Sequence, residues 1–308
     1  MRPEVVACLA CPYCGLGLST VDSALRCGNG HSFDLARQGY VTLLPAGAGG
    51  SGDDAAMVAA RADFLAAGHY SPLTDALITA AALPGAGLSG GLPGAGPSGG
   101  LPEAGPSGGA AGSGAPGAAA GGVVLDVGAG TGQHLAAVLD AAPEAVGIAL
   151  DSSRYAARRA ARAHPRAGAV VADAWAGLPV RTGSIAVVLD VFSPRNGAET
   201  ARVLRPGGLL VVVTPGPDHL AGLVDVLGGL RVDAAKDTRL AAALEPHLAP
   251  LDRAEHRWPL TLPRADAVRA VAMGPSSRHL TDLETAVGDL PDPVRATASI
   301  VISRYRRD

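Results

Sequence analysis

The chain has 308 residues, with 25 Lys and Arg against 28 Asp and Glu and a formal net charge of −3 at neutral pH. That length suits a catalytic domain plus a small module, and the slight acidity excludes a protein that grips nucleic acid by bulk charge alone. No run of about 18 apolar residues is present to span a bilayer, and the first residues lack a basic–apolar–small secretory pattern, so the cytoplasm is the expected compartment.

All four cysteines fall within the first 27 residues, at Cys8, Cys11, Cys14 and Cys27, and His31 follows closely. In a reducing compartment such clustering points to a metal rather than to disulfides. The best set is Cys11-Pro-Tyr-Cys14-Gly15 with Cys27-Gly-Asn-Gly-His31: C-x2-C, a twelve-residue loop, then C-x3-H. Gly15, Gly28 and Gly30 suit tight knuckles that turn backbone N–H groups toward thiolate sulfurs. Three sulfurs and one imidazole complete a tetrahedral structural zinc site, and folding of the module is expected to depend on the metal. Cys8 also forms a C-x2-C with Cys11, so spacing alone leaves the register open, although no knuckle glycine accompanies Cys8. Phe33, Tyr40 and Leu43 are expected to form a miniature core, with base stacking the alternative use of Tyr40.

This reading divides the chain into a zinc-binding module at 1–46, a helical connector at 47–82, a linker at 83–122 and a catalytic domain at 123–308. The linker holds near-identical units starting at Leu83, Leu92 and Leu101, each with one leucine and many glycines and prolines. Such a segment buries too little surface to offset its ordering entropy, so a flexible tether is expected.

From Val123 the pattern becomes α/β. An apolar run ends in Asp126-Val-Gly128-Ala-Gly130-Thr131-Gly132, and a helical pattern follows. Glycines let backbone approach a ligand closely, and the following helix start offers free N–H groups. A second run ends at Asp151, near the spacing at which an acid reads ribose hydroxyls. A third ends at Asp173-Ala-Trp175, a fourth reaches Asp190-Val-Phe192-Ser-Pro194, and a fifth follows Leu204-Arg-Pro-Gly-Gly208. The glycines alternate, whereas a phosphate-binding turn favours G-x-G-x-x-G. This order is similar to class I S-adenosylmethionine (SAM)-dependent methyltransferases, which implies a Rossmann-like seven-stranded sheet. In that class the glycine turn (Asp126, Gly128, Gly130, Thr131, Gly132) holds the methionine and ribose region. The acid at Asp151 binds ribose hydroxyls, and the acid at Asp173 lies by the adenine.

More specific segments are Cys11-Pro-Tyr-Cys14, His31-Ser-Phe33-Asp34, Arg37-Gln-Gly39-Tyr40-Val41, Ala67-Gly-His69-Tyr70-Ser-Pro-Leu73, Thr214-Pro215 with His219-Leu220, and Met273-Gly-Pro-Ser-Ser277. With the zinc spacing, they make the chain resemble the RlmA family of 23S rRNA (guanine-N1)-methyltransferases, in its branch from Gram-positive bacteria, over nearly everything outside the repeats. The resemblance implies zinc ligands at Cys11, Cys14, Cys27 and His31 and SAM contacts at Tyr70, Thr131, Gly132 and His219. It further implies a homodimer and methyl transfer to N1 of a guanosine in a domain II hairpin of 23S rRNA, with macrolide resistance of the tylosin or mycinamicin type. Asp190 is a candidate base for the N1 proton, or equally a solvated strand-end acid. Arg26 and Arg37 are the expected RNA contacts of the zinc module, while Arg304, Arg306 and Arg307 are either phosphate contacts or simply solvated. Two other readings stay open: a small-molecule methyltransferase in antibiotic tailoring, and a non-catalytic zinc- and SAM-binding RNA module.

Overall fold

In the computed structural model, which describes residues 1–45, 52–81, 121–223, 236–274, 288 and 291–308, the N-terminal segment is built from short pieces. They are α1 (Pro3–Cys8), then β1 (Leu18–Val21), β2 (Ala24–Cys27) and β3 (Ser32–Asp34) in one three-stranded sheet, then β4 (Tyr40–Thr42). Two helices follow, α2 (Ala55–Ala66) and α3 (Ser71–Ala81). Asp54 caps α2, its carboxylate accepting the N–H groups of Ala56 and Met57 at 2.8 and 2.9 Å. Such a cap satisfies donors that the first helical turn leaves open. Nearly all of the repeat segment, and Pro275 to Ser277 of the Met273 motif, lie outside the described residues.

The apolar runs then become β5 (Val123–Val127), β6 (Val146–Asp151), β7 (Ala167–Val171), β8 (Ile185–Val191) and β9 (Leu204–Pro215). Between them lie α4 (Gln133–Ala141), α5 (Arg154–Ala160) and α6 (Gly197–Val203), and the chain ends with α7 (Lys236–Leu244), β10 (Ala249–Leu262), α8 (Arg264–Ala272) and β11 (Val294–Arg306). The main sheet runs β10-β11-β9-β8-β5-β6-β7-β4. Seven of these strands form the sheet expected of the class, with β11 antiparallel to both β9 and β10. Strand order reverses at β5, which places a crevice at the carboxyl ends of β5, β6 and β8, where open α/β sheets bind ligands.

The eighth strand comes from the N-terminal segment. β4 pairs in parallel with β7, Tyr40 opposite Ala169 and Thr42 opposite Val171. Leu9 bridges Val180, and Arg181 N–H donates to the Cys8 carbonyl at 2.8 Å. Residues 1–45 are therefore joined by backbone hydrogen bonds to the sheet that they precede. Two core clusters lie on opposite faces of that sheet, as strand alternation requires. One contains Phe64, Leu73, Leu77, Leu135 and Val124; the other contains Val5, Leu25, Phe33, Leu43 and Leu125. The expected Phe33–Tyr40–Leu43 core is thus corrected. Once residues 40–42 join the sheet, alternation sends Tyr40 to the face opposite Val41, where it packs against the first cluster. The Arg205–Gly208 stretch, which leads into the fifth apolar run, is an irregularity within β9, where pairing steps from Ile185–Leu204 to Val187–Leu209. Among the described residues no helix is long and apolar enough to cross a membrane.

Candidate functional site

A cavity of about 520 Å³ opens at the carboxyl ends of the parallel strands, within the size range of small-molecule sites. Tyr70, Asp126, Gly128, Gly130, Thr131, Asp151, Asp173 and His219 all line it. Gly132 does not; it starts α4 at φ +79°, and a Cβ there would press on Ala160 and Ala163 at 3.0–3.1 Å. Its part is to let α4 and the end of α5 approach. Gly128, at φ +71°, is closed to a side chain for another reason, because a Cβ would run into Ser193 of the facing loop. Asp151 holds the glycine turn in shape by accepting the N–H groups of Gly130 and Ser153, both at 2.8 Å. Burial pushes its carboxyl above the usual range, against those two bonds. Asp126 is raised further, by burial first and then by the charges of Asp151 and Asp190. Asp126 and Asp151 thus face one low-dielectric crevice, where a cationic ligand would favour their charged forms. Thr131 Oγ1 is buried there without a hydrogen-bond partner.

The connector supplies the wall over this crevice. The Tyr70 phenol, buried at the start of α3, donates to His219 Nε2 at 3.0 Å. His219 Nδ1 lies 2.7 Å from the Ser299 carbonyl, so the proton belongs on Nδ1 and Nε2 is left to accept. His69 Nε2 meets Asp266 at 2.8 Å, and Trp258 Nε1 donates to the His69 carbonyl at 3.0 Å. Two further polar residues of the wall escaped sequence reasoning. Arg61 pairs with Asp53 and donates to the Met273 carbonyl, and His134 is pushed down to about 4 by burial and the Arg61 charge. Both sit inside helical patterns that look purely structural, so no sequence signal marks them.

On the β8 side, Asp190 does not line the cavity but sits behind Ser193, 4% exposed. Burial pushes its carboxyl up to about 7, opposed by the Arg195 charge and the polar groups of Ser193. Arg195 Nε is 3.7 Å from Asp190 Oδ1. Asp190 Oδ1, Ser193 Oγ and Arg195 Nε are all buried without a hydrogen-bond partner, which is costly unless another group completes them. The solvated-acid reading of Asp190 is therefore corrected: the strand end is enclosed by the Ser193–Arg195 loop. Beside it Phe192 holds φ +54°, a conformation rare for a bulky residue. Its ring is 40% exposed, Trp175 is 66% exposed, and both line the cavity. Strained backbone and exposed aromatics meet at one rim.

The cysteine cluster forms as its spacing predicts. Ligand atoms of Cys11, Cys14, Cys27 and His31 lie within 4.8 Å of one another. His31 Nδ1 is 3.4 Å from the sulfurs of Cys11 and Cys27, and the Cys14 and Cys27 sulfurs are 3.7 Å apart. Around zinc with bonds of about 2.3 Å to sulfur and about 2.0 Å to nitrogen, tetrahedral edges come out near 3.75 and 3.5 Å. The donor set therefore fits zinc. Cys8 stands apart, its thiol near the Ser184 carbonyl at 3.9 Å, which resolves the register. The N–H groups that face the sulfurs belong to Tyr13 and Cys14 at Cys11, and to Asn29 and His31 at Cys27. The glycines shape the knuckles instead of donating, Gly15 and Gly30 turning through positive φ.

Of the arginines singled out from sequence, Arg26, Arg37 and Arg306 are exposed. Arg304 is held by Asp252 through its Nε at 2.8 and 3.1 Å, and Arg307 donates to the carbonyls of Arg202 and Leu204. Those two fasten the C-terminal strand and are not free for phosphates.

A family model described as "RlmA, N-terminal" matches residues 9–51, and one described as "Methyltransferase domain" matches residues 124–208. A protein of Micromonospora griseorubida, provisionally described as a 23S rRNA (guanine-N(1)-)-methyltransferase, is 51% identical over 320 residues, covering 99% of each chain. The 23S rRNA (guanine(748)-N(1))-methyltransferase of Streptomyces fradiae is 46% identical over 309 residues, again covering 99% of each. Among solved structures, the YcgJ protein of Bacillus subtilis is similar at a TM-score of 0.44 and 16% identity, over 60% of this chain and 92% of that one.

Proposed function

The chain belongs to the 23S rRNA (guanine-N(1)-)-methyltransferase family, and from that premise we propose that it methylates N1 of a guanosine in a domain II hairpin of 23S rRNA. The observation that carries this reading is the rim where Asp190, Ser193 and Arg195 keep buried, uncompleted polar atoms beside exposed Phe192 and Trp175. A guanine offers both an aromatic face and a polar edge to such a rim, provided that the base leaves its stack or pair.

Tyr70, Asp126, Gly128, Gly130, Thr131, Asp151, Asp173 and His219 would hold SAM, with Gly132 acting through packing. The fit rests on chemistry: converging carboxylates for a cation, an open Thr131 hydroxyl and a glycine turn pinned by Asp151. Bound there, SAM supplies an electrophilic methyl group carried on a sulfonium. Phe192 and Trp175 orient the guanine, and alignment accounts for much of the rate. Asp190 lies behind Ser193, so it would take the N1 proton through the Ser193 hydroxyl that separates it from the cavity. A carboxyl held near 7 is matched to base chemistry at neutral pH. The zinc module at 1–46, the connector at 47–82 and the domain at 123–308 act as one unit in this reading. The enzyme works as a homodimer, and the added methyl confers macrolide resistance.

The test is primer extension on unmethylated 23S rRNA incubated with zinc-loaded protein and SAM. N1-methylation blocks Watson–Crick pairing, so a SAM-dependent reverse-transcriptase stop one nucleotide before a domain II guanosine is expected. Absence of that stop on both naked rRNA and 50S subunits would overturn the reading.

A further inference from the structure

The strongest charged feature outside the cavity lies on α5. Between Asp151 and Asp173 the chain carries Arg154, Arg158, Arg159, Arg162 and Arg166 and no carboxylate. At about 100° per residue, Arg154, Tyr155, Arg158, Arg159 and Arg162 fall within an arc of roughly 140°. Ala156, Ala157 and Ala160 make up the opposite, buried side. Small residues let the helix lie close to the sheet, and every large side chain is sent outward. Arg162 sits in the turn that continues α5, its N–H bonded to the Arg159 carbonyl at 2.9 Å.

Elsewhere in the described residues, several arginines are matched with acids: Arg61 with Asp53, Arg202 with Glu199, Arg257 with Asp218, Arg269 with Asp266, Arg304 with Asp252. Arg166 is absorbed by carbonyls, among them those of Ala142 and Ala145. Among the described residues Arg154, Arg158, Arg159 and Arg162 have no carboxylate partner; Arg154 lies over the Tyr155 ring at 5.3 Å. Arg158, Arg159 and Arg162 line one hollow with Tyr155, against Ala55 and Val58 of α2. Like charges spaced i,i+4 weaken a helix, so packing alone does not explain four of them in a chain of net negative charge.

We propose that this face of α5 is a docking surface for the phosphate backbone of the RNA substrate, separate from the cavity that takes the target base. The inference rests on the rRNA reading above. Guanidinium forks match phosphate oxygens in pairs, and the stripe from Arg154 to Arg162 spans on the order of 12 Å, long enough for more than one phosphate. It starts two residues after Ser152, which lines the cavity, and ends where Gly39 of the N-terminal segment faces Ala161. A strand leaving the cavity rim along α5 is thus delivered to the zinc module, where Arg37 is exposed. The half-exposed Tyr155 is the one large apolar group in the stripe, which argues for a polyanion over a lipid surface.

The test uses the full, zinc-loaded chain and two quadruple variants at Arg154, Arg158, Arg159 and Arg162, one all Gln and one all Lys. Affinity for unmethylated 23S rRNA and for poly-U is measured across KCl concentrations. The Gln variant should bind at least tenfold more weakly, with a log–log salt slope shallower by about two to three, since each lost phosphate contact removes roughly 0.7–0.9. The Lys variant should keep the slope, and both should keep wild-type SAM affinity and zinc content. A Gln variant with wild-type RNA affinity and slope overturns the proposal, as does one that loses only binding to phosphatidylglycerol vesicles. Wild-type protein that binds RNA through this stripe but methylates no rRNA counts against the rRNA reading alone. Wild-type protein with no RNA affinity overturns both.

Discussion

Tyr70 donates a hydrogen bond of 3.0 Å to His219 across 149 positions of the chain. Through it the connector before α3 closes onto the end of β9, and the Ser299 carbonyl fixes the imidazole from behind at 2.7 Å. Tyr70→Phe keeps the ring packed on Phe64 and Trp258 and removes only the hydroxyl. A bond worth about 0.5–1.5 kcal/mol corresponds to SAM affinity about 2- to 12-fold weaker. His219→Ala frees Tyr70 as well and should cost more. Isothermal titration with SAM checks both, and unchanged affinity in the pair would show that this contact does not shape the cofactor pocket.

Asp190→Asn separates activity from stability. In the fold the carboxyl is pushed up to about 7 by burial, against an ordinary value of 3.8. A raised folded value favours the protonated form, so the stability associated with it is full below pH 3.8 and is lost as pH rises through 7. The Asn variant should therefore be the more stable protein at pH 8, by at most about 4 kcal/mol, with the advantage gone near pH 4. Methyl transfer should fall by a factor of about 10²–10⁴, and the rise of wild-type turnover through pH 7 should vanish. Denaturant melts at the two pH values and a pH–rate profile decide the matter; an unchanged profile would falsify the base assignment.

Phe192 is held in a strained backbone state beside the cavity. Phe192→Gly removes the clash that a side chain meets at φ +54°, which costs an L-residue about 1–2 kcal/mol. The variant should melt no lower than wild type, while kcat/KM for rRNA falls about 10- to 100-fold, in line with base stacking of about 1–3 kcal/mol. A variant that melts lower yet methylates normally would mean that Phe192 is packing and nothing more.

Metal removal tests the register of the cysteines. Cys27→Ser, or chelation of the wild type, should expose the amides of β1, β2 and β3 to rapid hydrogen exchange, because the metal supplies much of the folding energy of such a module. Cys8→Ser should retain one zinc per chain and normal protection. Zinc analysis with exchange mass spectrometry reads both. A Cys8 variant that loses zinc would return the site to the other cysteine register.

The parts legible in the sequence were those with a short-range period or spacing. The apolar runs ending at Asp126, Asp151 and Asp190 became adjacent parallel strands, and Cys11-x2-Cys14 with Cys27-x3-His31 became one cluster. Contacts made at long range were not legible. Nothing local says that Tyr40 to Thr42 pair with β7, that Arg61 reaches the Met273 carbonyl, or that Arg304 and Arg307 are consumed by the fold. The arginines of α5 were visible as letters, but their lack of partners appears only when the surrounding acids are placed.

The pairing of β4 with β7 also bears on how the protein fails. β7 is apolar and buried along most of its length, and among the described residues the short stretch Tyr40 to Leu43 shields its outer edge. An uncovered strand of this kind is a template for other chains. Zinc held by Cys11, Cys14, Cys27 and His31 would fix the segment that leads into β4 and so keep that edge covered. Protein made without the metal should accumulate as intermolecular β-aggregates, and zinc supplied during synthesis, before that edge meets another copy, should prevent what zinc added afterwards cannot reverse.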